Sequence, residues 1–176
     1  MKGLTEEWLR ANRRGISDED LEKALDQGKA EYLSFSYLGR FFGFDVTFEP
    51  IIRRDVRIWI PILGWRPAAV NEFKSVKAKI HLKQRDRAIV CEAARLSGLP
   101  KATGKRQLSI FLRVPKGQRR WDEDAFWKST QDACVHAGLL VNDSPVWMRL
   151  GTMKYDPERG PLRTTLILED LPSGTP

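Results

Sequence analysis

The segment Leu108-Ser109-Ile110-Phe111-Leu112-Arg113-Val114 reads as a β-strand, cut off by Pro115 and Gly117, and it stands between two stretches of helical period. That interleaving restricts the fold more than any other feature of the chain. Upstream, Ile80 to Leu96 puts Ile80, Leu82, Ala88, Ile89, Cys91, Ala93 and Leu96 on an apolar side and stops at Gly98 and Pro100. Downstream, Asp122 or Asp124 can cap a helix running to about Ala137, with Gly138 as its stop. Val56–Ile60 alternates as a strand, and Pro61, Gly64 and Pro67 then form a loop. Val146–Leu150 and Leu162–Leu168 are two further strands, expected to pair as a hairpin. The expected class is mixed α/β, a small mixed β-sheet flanked by helices.

A chain of 176 residues accommodates one domain with an arm. Residues 1–28 read as polar helices, with Ser17 and Asp20 resembling a capping box. Residues 30–50 hold Tyr32, Phe35, Tyr37, Phe41, Phe42, Phe44 and Phe48. Those aromatics suit either a stacking surface for bases or a patch that docks on the main domain or on a second subunit. A composition shift near Pro50–Asp55 suggests an N-terminal helical and aromatic arm over residues 1–50, a main domain over 51–171 and a flexible tail over 172–176. No apolar run approaches the roughly 20 residues of a membrane span, and the first residues lack a secretory apolar stretch. Cys91 and Cys134 are far apart and, with His81 and His136, match no zinc spacing. A reduced, cytoplasmic setting is expected.

The charge distribution is uneven. Net charge is +7, but the stretch from Lys74 to Arg120 holds fourteen Lys or Arg against Asp86 and Glu92, a local +12, which leaves −5 for the remainder. Asp122-Glu123-Asp124 follows at once. A basic surface binds phosphates, whereas an acidic knot within it repels them unless a divalent cation bridges the two. Phosphodiester hydrolysis needs a deprotonated water, charge stabilisation and help for the leaving oxygen, and one or two Mg²⁺ ions can supply all three. Asp122 and Asp124, two residues apart, point the same way if that segment is extended. Asp143 would join them from beyond the helix. Lys128, one turn past Asp124, would bring its ammonium to the scissile phosphate or the attacking water. Helix capping accounts for the same acids equally simply, so the residues alone define a candidate metal site beside a basic surface.

The run Asp122-Glu123-Asp124-Ala125-Phe126-Trp127-Lys128-Ser129-Thr130-Gln131-Asp132-Ala133, then His136-Ala137-Gly138-Leu139-Leu140-Val141-Asn142-Asp143, resembles the signature of RusA-type Holliday-junction resolvases: Asp-x-Asp, a Lys four residues on, a further Asp-Ala, a Gly turn and a strand-end Asp. The likeness spans roughly residues 56–170 and is specific only over 122–146. It implies Asp122, Asp124 and Asp143 as catalytic, metal-binding carboxylates, Lys128 as the essential lysine and Asp132 as a supporting acid. It also implies Mg²⁺ (Mn²⁺ as a substitute), a homodimer, branched DNA as substrate and a bacterial, phage or prophage setting. Two positions depart from the pattern. Ala125 stands where the family carries Asn, and Asn142 where it carries the first of two acids.

DNA contacts are expected from Arg119 and Arg120 beside the acids, from Lys101, Lys105, Arg106 and Lys116 in loops, and from Lys74 and Lys77 in a second cluster. The leading expectation is a Mg²⁺-dependent endonuclease that resolves four-way junctions by paired nicks, as two-fold symmetry of a dimer would suit. The alternatives are a branched-DNA-binding protein with weak or no catalysis and a nuclease for flaps or forks.

Overall fold

The computed structural model describes residues 30–32, 37–72, 74–118 and 120–172. The helices expected before residue 29, Arg119 and residues 173–176 of the tail lie outside the described residues. The strands are β1 (Ala30–Tyr32), β2 (Tyr37–Phe41), β3 (Phe44–Phe48), β4 (Ile52–Arg54), β5 (Arg57–Leu63), β6 (Arg106–Arg113), β7 (Met148–Tyr155) and β8 (Arg163–Asp170). Helices α1 (Val76–Ser97) and α2 (Trp127–His136) and 3₁₀ turns at Val70–Glu72 and Glu123–Phe126 complete the described fold. It is mixed α/β, as expected. The sheet runs β1-β4-β5-β8-β6-β7, with the β2–β3 hairpin also joined to β5. Among the described residues only β6 and β7 pair in parallel, because α2 lies between them in the chain and returns it to the starting end.

The core follows from alternation. Ile58, Ile60 and Ile62 of β5 sit opposite Leu168, Leu166 and Thr164 of β8, which sit opposite Leu108, Ile110 and Leu112 of β6. These rows share one face, and Ile89, Val90 and Ala93 of α1 with Ala133 and Cys134 of α2 join them in one buried cluster. Removing one such side chain, as in Ile110→Ala, costs about 2–5 kcal/mol. Helix α1 starts earlier than its apolar period indicated, because Ser75 Oγ accepts from Ala78 N–H at 3.1 Å. It ends where Gly98 turns left-handed.

Two local readings are corrected. Pro61 lies in β5 rather than in a loop. Its carbonyl accepts from Glu49 N–H at 3.1 Å, so its missing N–H faces the side where β5 changes partner from β4 to β3. No bond to β8 is lost. Second, β7 and β8 do not form a hairpin, since β8 lies between β5 and β6. Its residues are mostly buried on both faces, which suits a central strand. The connector from β7 crosses the end of β6, where Asp156 N–H donates to Leu112 O at 2.9 Å and Gly160 N–H to Val114 O at 3.3 Å. The aromatic segment, for which packing on the main domain was one expectation, belongs partly to the sheet: Phe48 is buried, and Phe41 meets it edge-on at 5.7 Å. Strands on both sides of residue 50 pair with β5. Gly64 ends β5 beside this hairpin with φ +80°, and a Cβ there would lie 2.6 Å from Asp45 O, so only glycine fits.

Candidate active site

The acidic turn is held from three sides. Tyr155 Oη of β7 accepts from Trp121 N–H and donates to Trp121 O, each at 2.8 Å. The Arg66 guanidinium lies 4.3 Å above the Trp121 ring. Phe126 is buried and meets Trp121 edge-on at 6.0 Å. Arg66 is itself fixed by a two-bond pairing with Glu72, whose carboxylate also accepts from Ala69 N–H. The chain therefore enters Asp122 from a clamped residue and leaves through a buried one.

Asp122 is extended, with φ −63° and ψ 137°, and precedes the 3₁₀ turn that contains Asp124. Its side chain makes no capping hydrogen bond, and α2 has no side-chain cap either. The expected cap by Asp122 or Asp124 is absent because the 3₁₀ turn intervenes before α2 begins at Trp127. Asp122, Glu123 and Asp124 are exposed. Glu123 and Asp124 line an open groove with Arg120, Trp127 and residues 151–155 of β7. Asp122 and Asp143 are not part of that lining.

Lys128 joins a different group. Its Nζ donates to Asp143 Oδ2 at 3.0 Å and pairs with Asp132 Oδ1 at 3.0 Å. Lys83 Nζ of α1 reaches the other Asp132 oxygen at 2.5 Å. The hydrogen bonds that Lys128 donates to Asp132 and then to Asp143 hold its pKa above the ordinary value. Burial raises the Asp132 pKa, but the hydrogen bonds from Lys83 and Lys128 and their charges outweigh it and leave the carboxyl below its ordinary value. The loop that carries Asp143 is shaped by its neighbour, since Asn142 Oδ1 accepts from Ser144 N–H at 2.9 Å. Ala125 is half-buried against the core.

The fold thus brings Lys128, Asp132 and Asp143 into contact and places Asp124 with Glu123 on the groove. Among the described residues, no three Asp, Glu, His or Cys side chains converge into a cation cage. The donor set still suits a hard cation. Asp122 and Asp124 present exposed carboxylates, that of Asp122 making no capping bond, and Mg²⁺ is commonly held by one or two carboxylates, with water and substrate phosphate completing its shell.

The expected DNA contacts divide. Lys74, Lys77, Lys101, Lys116 and Arg120 are exposed, and Lys105 is half-buried. Arg120 lies over the Tyr155 ring at 5.0 Å. Arg106 departs from expectation: it is 7 % exposed, with Nε on Asp170 at 2.5 Å and a guanidinium N–H on Leu139 O at 2.8 Å. Its alternation within β6 points it inward and commits it to structure.

Sequence reasoning missed Asp86, which is fully buried. Its carboxylate accepts from Trp65 Nε1 at 3.0 Å, Ala68 N at 2.7 Å, Arg85 Nη2 at 2.6 Å and Ser129 Oγ at 2.6 Å. It ties α1 to the 65–68 loop and to α2 beside Lys128. A signal was present, since Asp86 falls on the stripe of Val90, Ala93 and Ser97, where a carboxylate requires partners. No helix among the described residues is long and apolar enough to cross a membrane. The chain matches no family model and no curated protein.

Proposed function

We propose that the chain is a Mg²⁺-dependent, structure-specific DNA endonuclease that resolves four-way junctions by paired nicks as a homodimer. The observation that carries this reading is the union of Lys128, on the helix that follows a turn whose Asp122 carboxylate makes no capping bond, with Asp143, fifteen residues further on. The sequence resemblance to RusA-type resolvases supports the choice of substrate. Asp122 and Asp124 would hold the ion, with Asp143 approaching through the Lys128 contact. A bound Mg²⁺ supplies Lewis acidity and lowers the pKa of a coordinated water. Lys128 offers its ammonium to the scissile phosphate, whose charge competes with Asp132 and Asp143 for it. Arg120 lies next to the acidic turn and binds a neighbouring phosphate.

The test is Asp124→Asn assayed on a synthetic four-way junction with Mg²⁺. Binding is expected to persist and cleavage to vanish. Cleavage at the wild-type rate would overturn the assignment.

One observation favours a second reading, a branched-DNA-binding protein with weak catalysis. Asp143 is already engaged by Lys128, and no three carboxylates converge among the described residues. A gel shift without nicking, over a panel of junctions, flaps and forks in Mg²⁺ or Mn²⁺, would favour this reading. Nicking confined to flaps or forks would instead reassign the substrate.

A further inference from the structure

Strand β7 is irregular where it borders the acidic turn. Leu108 of β6 pairs with Leu150 and Ile110 with Met153, so Gly151 and Thr152 together face Ser109 alone. This is a β-bulge, a feature that gathers at sheet edges and next to active sites. The bulge is built for its place. Ser109 Oγ accepts from Thr152 N–H at 3.2 Å, satisfying the amide that the ladder drops. A Cβ on Gly151 would lie 2.0 Å from Ser109 Oγ and 3.0 Å from Leu108 O, so a side chain there would displace the serine that closes the bulge.

The bulged segment forms one wall of the groove described above, a trough of about 600 Å³ whose other wall is Arg120, Glu123, Asp124 and Trp127. That volume lies within the ~300–1,000 Å³ of small-ligand sites. Its lining is mixed. Trp127 and Tyr155 present aromatic surface, and Arg120 and Lys154 present cations. Arg120 is already oriented over the Tyr155 ring at 5.0 Å. Among the described residues β7 pairs only with β6, so the outer edge of this groove-lining strand has backbone N–H and C=O groups with no strand partner. Aromatic faces that accept a base, cations that take its phosphate and open backbone groups along one edge are the elements of a single-strand site.

We infer that this groove seats one unstacked nucleotide of a bound strand, its base against Trp127 and Tyr155 and its phosphate toward Arg120 and Lys154. The inference rests on the nuclease reading for its place beside the cleaved strand. It goes beyond that reading in assigning a separate nucleotide site to Trp127, Lys154 and the β7 bulge. Because only an unstacked base offers its face to such side chains, the seat takes single-stranded or locally opened DNA.

The test uses the full chain, ¹⁵N-labelled, titrated with the tetranucleotide d(T)₄ in Mg²⁺, which offsets the Glu123 and Asp124 charges, and observed by NMR. Amide shifts are expected at residues 151–155 and at the Trp127 indole N–H. Thr152→Trp, which fills the trough, and Lys154→Ala, an exposed change that spares the core, are each expected to weaken d(T)₄ binding by about tenfold, the scale of one lost base contact. Shifts confined to other surfaces, or affinity unchanged in both variants, would overturn the seat. A junction-cleavage assay separates the two ideas. Cleavage of a junction without d(T)₄ shifts in the groove sinks the seat and leaves the nuclease reading standing. Groove shifts without any cleavage do the reverse.

Discussion

Lys128 Nζ lies 3.0 Å from Asp143 Oδ2, and the same ammonium lies 3.0 Å from Asp132 Oδ1. The Lys128–Asp143 contact is half exposed, at 52 % and 42 % for the two side chains. Exposed pairs of this kind contribute about 0–1 kcal/mol. Asp143→Ala should therefore change unfolding free energy by less than about 1 kcal/mol, while the nuclease reading requires it to abolish junction cleavage. Denaturant melts and a cleavage assay on the same preparation check both halves. A large loss of stability would make Asp143 a structural residue.

Asp132 has the opposite character, since both of its oxygens are paired, one of them to Lys83 at 2.5 Å. Burial alone would raise its pKa, but the hydrogen bonds and charges of Lys83 and Lys128 leave it lowered. A carboxyl with a lowered folded pKa adds stability above its unfolded value, and that stability is lost as pH falls through the folded value. Wild type should lose stability as pH drops below about 4, and Asp132→Asn should flatten that part of the curve. The check is urea unfolding between pH 2 and 7, those limits bracketing roughly the ordinary carboxylate range. An unchanged acid slope in the variant would count against the pairing.

The lysine on the other helix gives a third test. Lys83 is only 23 % exposed at its side chain, so Lys83→Met leaves Asp132 half-buried with one partner instead of two. A stability loss of about 1–3 kcal/mol is expected, the scale of a hydrogen bond to a charged group. Junction binding should remain, because Lys83 is engaged in the interhelical pair rather than presented to solvent. A variant with unchanged stability and weaker DNA binding would reverse that view.

The elements that were legible in the sequence are those governed by local period and punctuation. Leu108–Val114 found its strand because alternation is a short-range property. Gly98 and Gly138 marked helix ends because both adopt positive φ. The position of β8 was not legible. Adjacency along the chain favours a β7–β8 hairpin, and only the burial of both β8 faces moves that strand between β5 and β6. At the site, the order Asp122, Asp124, Lys128, Asp143 could be read, but the 3₁₀ turn that redirects Asp124 toward β7 could not. Nor could Lys83–Asp132, which spans 49 residues with no local pattern to announce it. Arg106 looked like a loop cation because the strand start was placed two residues late, at Leu108 instead of Arg106.

Asp86 is the residue on which the support of this region converges. Asp86→Ala would strand the Trp65 indole N–H, the Ala68 amide and the Ser129 hydroxyl in the interior and leave the Arg85 guanidinium with the Arg66 carbonyl but no counter-charge from Asp86. Breaking one member of a buried charged pair costs about 3–5 kcal/mol, so the variant should unfold at markedly lower denaturant. Ser129→Ala removes a single bond from the same carboxylate and should cost about 1 kcal/mol. Equal effects of the two substitutions would mean that the network does not depend on the carboxylate.

The two thiols provide a clock for the same region. Cys134 of α2 is fully buried, and burial pushes its pKa up to about 12. Cys91 is half-buried, and its pKa is also raised by burial. The thiolate is the reactive form, so at neutral pH a disulfide reagent should modify Cys91 slowly. It should reach Cys134 only when α2 lifts from the sheet. The Cys134 rate then scales with the population of the opened state. Asp86→Ala loosens the tie between α1, α2 and the 65–68 loop, so it should speed Cys134 modification far more than it speeds that of Cys91. Stopped-time labelling with mass spectrometry resolves the two sites. Acceleration equal at both would locate the opening elsewhere than at the Asp86 network, whereas acceleration confined to Cys134 ties the stability of α2, and hence the placement of Lys128, to one buried carboxylate.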